Sequence, residues 1–175
     1  MRIFVAVPVP ETLRKKVSAL GLEIAAPGVS LVKPDNMHLT LRFIGDIPDN
    51  ELDGVKKSLG KVRFKRFSCL IKGVGVFPNE SFVRVVWAGC ASGGALEALA
   101  TGVASVLGGY GGDERFSAHL TIARVKGKIS PRPFLEKHMN EEFGTFEAKE
   151  FHLVCSQLGP GGPAYTTLAV YGADG

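Results

Sequence analysis

The sequence predicts an α+β fold of two antiparallel sheets, with helices on their outer faces and a central cleft between two lobes. Many segments of the 175-residue chain have the β-branched and aromatic content of strands, and short turns rich in Gly, Pro and Asn join several of them into hairpins. Only a few stretches repeat apolar residues at helical spacing. The order strand, helix, His-x-Thr strand, helix, strands occurs twice, which indicates an internal duplication about a pseudo-two-fold axis.

The composition fits one folded unit. Hydrophobic residues make up 45% of the chain, and no linker divides it, so we expect residues 1–175 to form a single bilobed domain. The net charge of +4 is compatible with RNA or a phosphate ligand, and equally with a plain basic surface. The three cysteines, Cys69, Cys90 and Cys155, are widely spaced and indicate reduced thiols in a cytoplasmic protein. Nothing in the sequence demands an assembly larger than a monomer.

The elements of the first half follow from apolar spacing and turn residues. Its strands are predicted at residues 3–9, 29–32 and 37–44. One helix opens at Pro10 and runs to Ile24, and a second ends at Leu59 with Asp49 or Asn50 as its N-cap. The apolar N-terminus is far shorter than the roughly 18 residues of a membrane helix, so no membrane segment is expected.

The second half repeats this order. A helix capped by Ser92 runs to Leu107 and ends in a glycine-rich loop, and another is opened by Pro131 and extends through His138. The glycine-rich segments match no phosphate-binding loop and are interpreted as turns. Strands are predicted at residues 64–76, 81–88, 116–124, 150–158 and 165–171, with hairpin turns at 77–80 and 159–163.

A tripeptide occurs twice, as His38-Leu39-Thr40 and His119-Leu120-Thr121, with a separation of 119 − 38 = 81 residues. Successive side chains of a strand point to opposite faces, so the histidine and threonine of each copy share one face and the leucine points away. Two such strands side by side would present two imidazoles and two hydroxyl donors to one small anionic group.

This arrangement suits displacement at phosphorus. His38 and His119 are the candidate acid–base pair, because imidazoles titrate near neutrality and the attacking and leaving oxygens lie on opposite sides of the phosphorus. Thr40 and Thr121 would donate hydrogen bonds to the non-bridging oxygens. A strained cyclic phosphodiester requires only this apparatus, so neither a metal nor another cofactor is expected.

Three further candidates for substrate binding follow the motifs in sequence: Arg42, Phe43 and Arg124. Strict alternation places Arg42 on the face of His38 but Arg124 on the face opposite His119, so Arg124 reaches the phosphate only past a bulge or strand end. Phe43 has the same offset from its histidine as Arg124. It would either stack on a nucleobase or pack in the core.

The remaining charged groups are interpreted as surface features. His138 and His152 lack a threonine two residues later and are predicted to be exposed. Two clusters follow the same interpretation. The His/carboxylate group formed by Glu136, His138, Glu141 and Glu142 is better explained as a helix surface than as a metal site. The basic run of Lys61, Arg63, Lys65 and Arg66 is better explained as a solvated strand edge than as an RNA contact.

Five stretches that span nearly the whole chain resemble a known family. They are RIFVAV at 2–7, VKPDNMHLTLRFIGD at 32–46, RVVWAG at 84–89, FSAHLTIAR at 116–124 and GPAY at 162–165. In these, the chain resembles the 2H phosphoesterases, and within them the RNA 2′,3′-cyclic phosphodiesterases, also called 2′-5′ RNA ligases. One departure is Ala118, since the family often has proline before the second motif.

The resemblance implies a partner and a reaction. The partner is an RNA or oligonucleotide with a 2′,3′-cyclic phosphate end, which is opened without a metal to a 2′-phosphate, with 2′-5′ ligation as the reverse reaction in vitro. His38 and His119 carry over as the acid–base pair, and we expect His38 to be the acid and His119 the base. By position, Arg124 carries over as a phosphate contact and Phe43 as a residue near the base.

Two other functions use the same fold. One is a phosphodiesterase that acts on small cyclic nucleotides or on 2′-5′ oligoadenylate, because the same two histidines would serve it. The other is a non-catalytic module that binds nucleotides or RNA. Both His-x-Thr motifs are intact in this chain. This favours an enzyme, since a binding module could lose any of these four side chains.

Overall fold

The computed structural model describes residues 1–112 and 115–175, which form two antiparallel sheets. Within these residues the strands are β1 (Arg2–Pro8), β2 (Val29–Leu31), β3 (His38–Asp46), β4 (Phe67–Asn79), β5 (Phe82–Ala91), β6 (His119–Val125), β7 (Glu142–Ala148), β8 (Glu150–Gly159) and β9 (Gly162–Gly172). Sheet A has the strand order β3-β1-β8-β9, and sheet B has the order β2-β6-β5-β4-β7. The two-sheet α+β fold predicted from the sequence is confirmed.

Helices connect the strands. The described residues contain α1 (Glu11–Ala19), α2 (Leu52–Leu59), α3 (Ala95–Leu107) and α4 (Arg132–His138), with short 3-10 helices at Leu20–Ile24, Pro34–Asn36 and Asp49–Glu51. None of these helices has the length and apolar character needed to cross a membrane.

Neither predicted helix cap lies at the N-cap position. The N-cap residue of α3 is Gly94, not Ser92, although the hydroxyl oxygen of Ser92 accepts a 2.9 Å hydrogen bond from the backbone N–H of Leu96. The predicted cap at Asp49 or Asn50 is wrong. Both residues lie in a 3-10 turn that follows Pro48, and α2 begins at Leu52 without a side-chain cap.

Two strand predictions need correction. The hairpin of β4 and β5 has a tighter turn than predicted, because the side-chain oxygen of Asn79 accepts 3.0 Å hydrogen bonds from the backbone N–H groups of Ser81 and Phe82. The strand β7 was not predicted at all. Its sequence contains Gly144 and two glutamates, which disfavour a strand, but pairing with β4 holds it at the edge of sheet B.

One hydrophobic core is shared by both sheets. The central strand β1 is buried along nearly its whole length, and the core also contains Leu120 and Ile122 of β6 and Phe151 of β8. The strand β3 contacts β6 of the other sheet, and α3 also packs against β3. The two strands that carry the His-x-Thr motifs therefore lie next to each other at the junction of the sheets. The internal duplication stays a prediction.

Both of these strands contain a β-bulge at the same offset from the histidine. In β3, Thr40 pairs with Ala6 and Arg42 pairs with Val5, so Leu41 has no partner. In β6, Thr121 pairs with Trp87 and Ala123 with Val86, which leaves Ile122 without a partner in the same way. A bulge adds one residue and shifts the alternation of the side chains that follow it.

His138 is not on the surface, contrary to the prediction. It is buried at the end of α4, where its Nδ1 contacts a carboxylate oxygen of Glu141 and its Nε2 lies 3.1 Å from Glu23 Oε2. Lys137 Nζ lies 3.0 Å from the same oxygen of Glu23. Burial was missed because the acidic partner Glu23 is more than a hundred positions away in the sequence.

Candidate active site

Both His-x-Thr motifs open into one cleft of about 700 Å³ between the two sheets. Strands, turns and one 3-10 helix provide its walls, and no residue of the four α-helices lines it. The lining residues are Ser30, Leu31, Val32, Lys33, Asn36, Met37, His38, Thr40, Phe43, Phe77, Val85, His119, Thr121, Arg124, Gly161, Gly162, Pro163 and Tyr165. The predicted central cleft is therefore present, and it brings six of the seven predicted site residues together.

Alternation along the strands places the motif side chains. Leu39 of β3 and Leu120 of β6 are completely buried, while the flanking histidines and threonines are half-buried and face the cleft. Each leucine thus anchors its strand in the core and directs an imidazole and a hydroxyl to the opposite side.

A backbone carbonyl two residues earlier orients the imidazole of His119. His119 Nδ1 lies 2.8 Å from the carbonyl oxygen of Ser117, so this nitrogen carries the proton and donates it. The backbone carbonyl of Asn36 acts on the ring of His38 by raising its pKa. In the neutral form of His119 this hydrogen bond leaves Nε2 with a free lone pair, which is the form that a general base requires.

Burial lowers the pKa of both histidines. Desolvation is the main cause for His38, whose pKa falls to about 4 because the Asn36 carbonyl only partly opposes it. For His119, desolvation again lowers the pKa and the Ser117 carbonyl opposes it. The positive charge of Arg124 lowers the pKa of both rings as well. Both imidazoles are therefore predominantly neutral in the free protein near pH 7.

Aromatic side chains frame the imidazoles. Phe4 stacks on His38 with ring centroids 4.6 Å apart, and Tyr165 meets the same ring edge-on at 5.1 Å. Phe77 packs edge-on against His119 at 5.1 Å. The sequence did not predict roles for these three residues. For Tyr165 a signal existed, since it closes the last stretch that resembles the family, whereas the sequence pattern places Phe77 in a hairpin turn.

The bulges decide which residues after the motifs reach the cleft. Arg124 lines it because the bulge at Ile122 turns its side chain to the face of His119, as the sequence required. Phe43 also lines the cleft and is 53% exposed, so it is not a core residue. The bulge at Leu41 brings it to this face.

Arg42 does not line this cleft. Its Nε donates a 2.9 Å hydrogen bond to the carbonyl oxygen of Tyr110, and it lines a neighbouring pocket of about 250 Å³. Strict alternation predicts Arg42 on the same face as His38, but the bulge at Leu41 interrupts that alternation. The structure therefore places Arg42 outside the cleft itself, in a smaller pocket that shares Thr40 and His119 with it.

The cleft is electropositive. Lys33 and Arg124 line it, and none of its described lining residues is acidic. Within residues 1–112 and 115–175, no group of three or more His, Cys, Asp or Glu side chains could hold a metal ion. The chemistry of the lining suits an anionic ligand that contacts imidazoles, hydroxyls and a guanidinium.

The other candidates of the sequence lie outside the cleft. Arg63 donates to the carbonyl of Gly60, and Arg66 pairs with Glu147 at 3.6 Å. With Lys61 and Lys65 they form the exposed run that the sequence predicted as a solvated edge. His152 is half-buried, not exposed, and lies 2.9 Å from Glu150 on its own strand.

Comparisons with known proteins agree with this geometry. A family model described as LigT like phosphoesterase matches residues 4–87. A curated relative from Archaeoglobus fulgidus, named RNA 2′,3′-cyclic phosphodiesterase, is 40% identical over 176 residues, which cover 98% of this chain and 99% of the relative. The crystal structure of TT0787 from Thermus thermophilus has a TM-score of 0.79 at 33% identity, with 98% of this chain and 97% of that chain covered.

A more distant structure shares the fold. Escherichia coli LigT in its apo form has a TM-score of 0.80 at 24% identity and covers 98% of this chain and 96% of its own. The full-length identity to the Archaeoglobus relative decides the family. The chain belongs to the RNA 2′,3′-cyclic phosphodiesterases, a family of LigT-like (2H) phosphoesterases.

Proposed function

We propose that this protein hydrolyses the 2′,3′-cyclic phosphate end of an RNA to a 2′-phosphate, without a metal, by acid–base catalysis at His38 and His119. One observation carries the proposal: both imidazoles, both motif threonines and Arg124 line a single cleft. The relatives support the substrate class, because the Archaeoglobus protein is named RNA 2′,3′-cyclic phosphodiesterase.

His119 is proposed as the general base. Its Nδ1 proton is held by the Ser117 carbonyl, so Nε2 is free to accept a proton from water. The water oxygen forms a bond to phosphorus while the bond from phosphorus to the 3′ oxygen breaks on the opposite side. The phosphate then remains on the 2′ oxygen.

His38 is proposed as the general acid that protonates the departing 3′ oxygen. The proton balance closes, because His119 gains the proton from water and His38 supplies one to the 3′ hydroxyl. Burial lowers the pKa of His38 to about 4 in the free protein. This role therefore requires the negative phosphate to raise that pKa when it binds, as an opposite charge within contact distance does.

The remaining polar residues of the cleft stabilise charge on the phosphate. Thr40 and Thr121 donate hydrogen bonds to non-bridging oxygens, and the guanidinium of Arg124 offers a planar set of donors to the same group. Phe43 extends an exposed aromatic ring from the cleft wall. Stacking of a base on such a ring contributes about 1–3 kcal/mol.

The test of the activity is the identity of the product. An RNA oligonucleotide with a 2′,3′-cyclic phosphate end is incubated with the protein in the presence of a strong chelator, and the terminal phosphate is assigned by ³¹P NMR. The expected product is a 2′-phosphate at an unchanged rate with chelator. A 3′-phosphate product would reverse the proposed attack geometry, and loss of activity with chelator would refute metal independence.

A second substrate is needed to test which histidine is the general acid and which is the general base. Bis(4-nitrophenyl) phosphate has a leaving group that departs without protonation, so removal of the general acid matters less for it. We expect His38→Ala to retain a larger share of activity on this ester than His119→Ala. The opposite order would exchange the two roles.

A further inference from the structure

A basic segment continues the cleft beyond the catalytic residues. Residues 30–33 comprise the end of β2 and the two residues after it; they line the cleft, and Lys33 precedes the 3-10 helix Pro34–Asn36. The side chain of Asn36 donates a 3.0 Å hydrogen bond to the carbonyl of Pro163 and so ties this segment to β9. Lys33 is therefore held at the rim of the site although it is exposed.

The strand β2 is placed to extend the phosphate-binding surface. Ser30 pairs directly with Arg124 in the register of β2 and β6, and both line the cleft. Side chains that face each other across neighbouring strands lie about 4.5–5.5 Å apart at Cβ. The side chains of Ser30 and Arg124 thus start from neighbouring positions, and Lys33 follows three residues after Ser30 along the chain.

No acidic side chain among the described residues neutralises Lys33. Within residues 1–112 and 115–175, ion pairs engage Lys15, Lys72 and Lys137, but no carboxylate lies within 4.0 Å of the Lys33 ammonium. An unpaired ammonium on a long flexible side chain suits a phosphate that is solvated and not reacting. The reacting phosphate already has Thr40, Thr121 and Arg124 as proposed partners, so Lys33 is available for a second phosphate group.

We propose that Ser30 and Lys33 bind the internal phosphodiester that precedes the terminal nucleotide of the RNA. This proposal rests on the proposed function and adds to it a preference for oligonucleotides over cyclic mononucleotides. Lys33 contacts an oxygen of that phosphodiester, and Ser30 donates a hydrogen bond to it. The end of the cleft that carries β2 is thus the side on which the RNA chain leaves the site.

The test compares two substrates that differ by one internal phosphate. They are adenosine 2′,3′-cyclic phosphate and the dinucleotide ApA with a 2′,3′-cyclic phosphate end. In Lys33→Ala the ratio of kcat/KM for the dinucleotide to that for the mononucleotide is expected to fall about threefold to tenfold. The dependence of log(kcat/KM) on log salt concentration for the dinucleotide is expected to become shallower by roughly 0.7.

Lys57→Ala is the matched control, because Lys57 is an exposed lysine of α2 outside the cleft and its loss removes the same charge. It is expected to keep the wild-type substrate ratio. An equal fall for both substrates in Lys33→Ala, or the same change in Lys57→Ala, would overturn the proposal. A wild-type protein that opens neither substrate would instead refute the proposed function itself.

Discussion

Leu41 of β3 and Ile122 of β6 occupy equivalent places in two strands, each as the unpaired residue of a β-bulge three positions after a histidine. Both side chains are buried in the core. Because each bulge shifts the alternation by one residue, the side chain five positions after the histidine turns to the cleft in both strands. One wall thereby gains Phe43 and the other Arg124, so a symmetric pair of motifs produces an asymmetric site.

Loss of either proposed catalytic histidine should lower turnover strongly without unfolding the protein. We expect His38→Ala and His119→Ala each to lower kcat on a cyclic-phosphate RNA by roughly 10²–10⁴-fold, the contribution of a proton-transfer group. Single-turnover kinetics and the denaturant midpoint would be measured together. His152→Ala is the control, because this histidine lies outside the cleft. Full activity in either motif variant would contradict the assignment.

Arg124 and Arg42 should behave differently, although both follow a motif. Arg124→Ala is expected to lower kcat/KM by about 10²–10³-fold, since it removes charge-stabilising donors at the phosphate. Arg42→Ala loses a hydrogen bond to Tyr110 instead, so we expect a change below tenfold in kcat/KM. Steady-state kinetics on one substrate would compare them. Equal losses would show that Arg42 also contacts the phosphate.

The sequence predicted the parts of this site that depend on local pattern. Alternation identified the faces of both motifs, and the position of Arg124 required a bulge that the structure contains. The corresponding bulge at Leu41 was not predictable, because Arg42 on the face of His38 satisfied alternation without one. A bulge depends on the pairing strand, which the local sequence does not specify.

Contacts between distant segments were beyond local pattern for the same reason. Tyr165 reaches His38 from the last hairpin, and Phe77 reaches His119 from β4. The edge strand β7 likewise forms only because β4 offers it a partner. Each of these depends on tertiary packing, which overrides the weak preferences of the local residues.

The pH dependence of catalysis should reflect two imidazoles whose pKa values are lowered. The value of kcat/KM reports the free protein, in which the acid must be protonated and the base neutral. Since the pKa of both rings lies below the ordinary 6.5, we expect kcat/KM to decline as the pH rises above 6.5. The falling limb of kcat should lie at higher pH, because bound phosphate raises the pKa of the acid.

Steady-state kinetics between pH 4 and pH 9 in buffers of constant ionic strength would measure both limbs. His152→Gln removes an imidazole that does not line the cleft and is the control, which should leave both limbs in place. A falling limb of kcat/KM above pH 8 would contradict the lowered pKa values in the free protein.

Two glycines should respond in opposite ways to the same added methyl group. A Cβ at Gly75 would overlap the indole ring of Trp87, which lies against this glycine, so Gly75→Ala is expected to destabilise the protein by about 1–3 kcal/mol. Gly54 lies in α2 with open space where the methyl group would project, so Gly54→Ala is expected to stabilise by about 0.5–1 kcal/mol. Urea unfolding of both variants would decide, and an unchanged midpoint in Gly75→Ala would show that the indole moves freely.

The buried His138 should make stability depend on pH in a defined direction. Desolvation alone would lower its pKa, but the hydrogen bonds to Glu141 and Glu23 outweigh desolvation and raise the pKa above 6.5. Lys137 also faces this group through its contact with Glu23. A group whose pKa is raised by folding contributes stability that is complete below pH 6.5 and is lost as the pH rises through the folded-state pKa.

His138→Gln should therefore cost about 2 kcal/mol of unfolding free energy at pH 6 and less at pH 9, because the charged hydrogen bonds disappear in the wild type at high pH. Urea unfolding of wild type and variant between pH 6 and pH 9 gives the difference in their unfolding free energies. The titration of His38 and His119 contributes equally to both proteins and therefore cancels in this difference. Glu11→Gln is the control, since it removes an exposed carboxylate that pairs with Lys15 elsewhere on the surface. A difference that grows with pH would mean that His138 is neutral in the folded protein and that the two glutamates do not hold its proton.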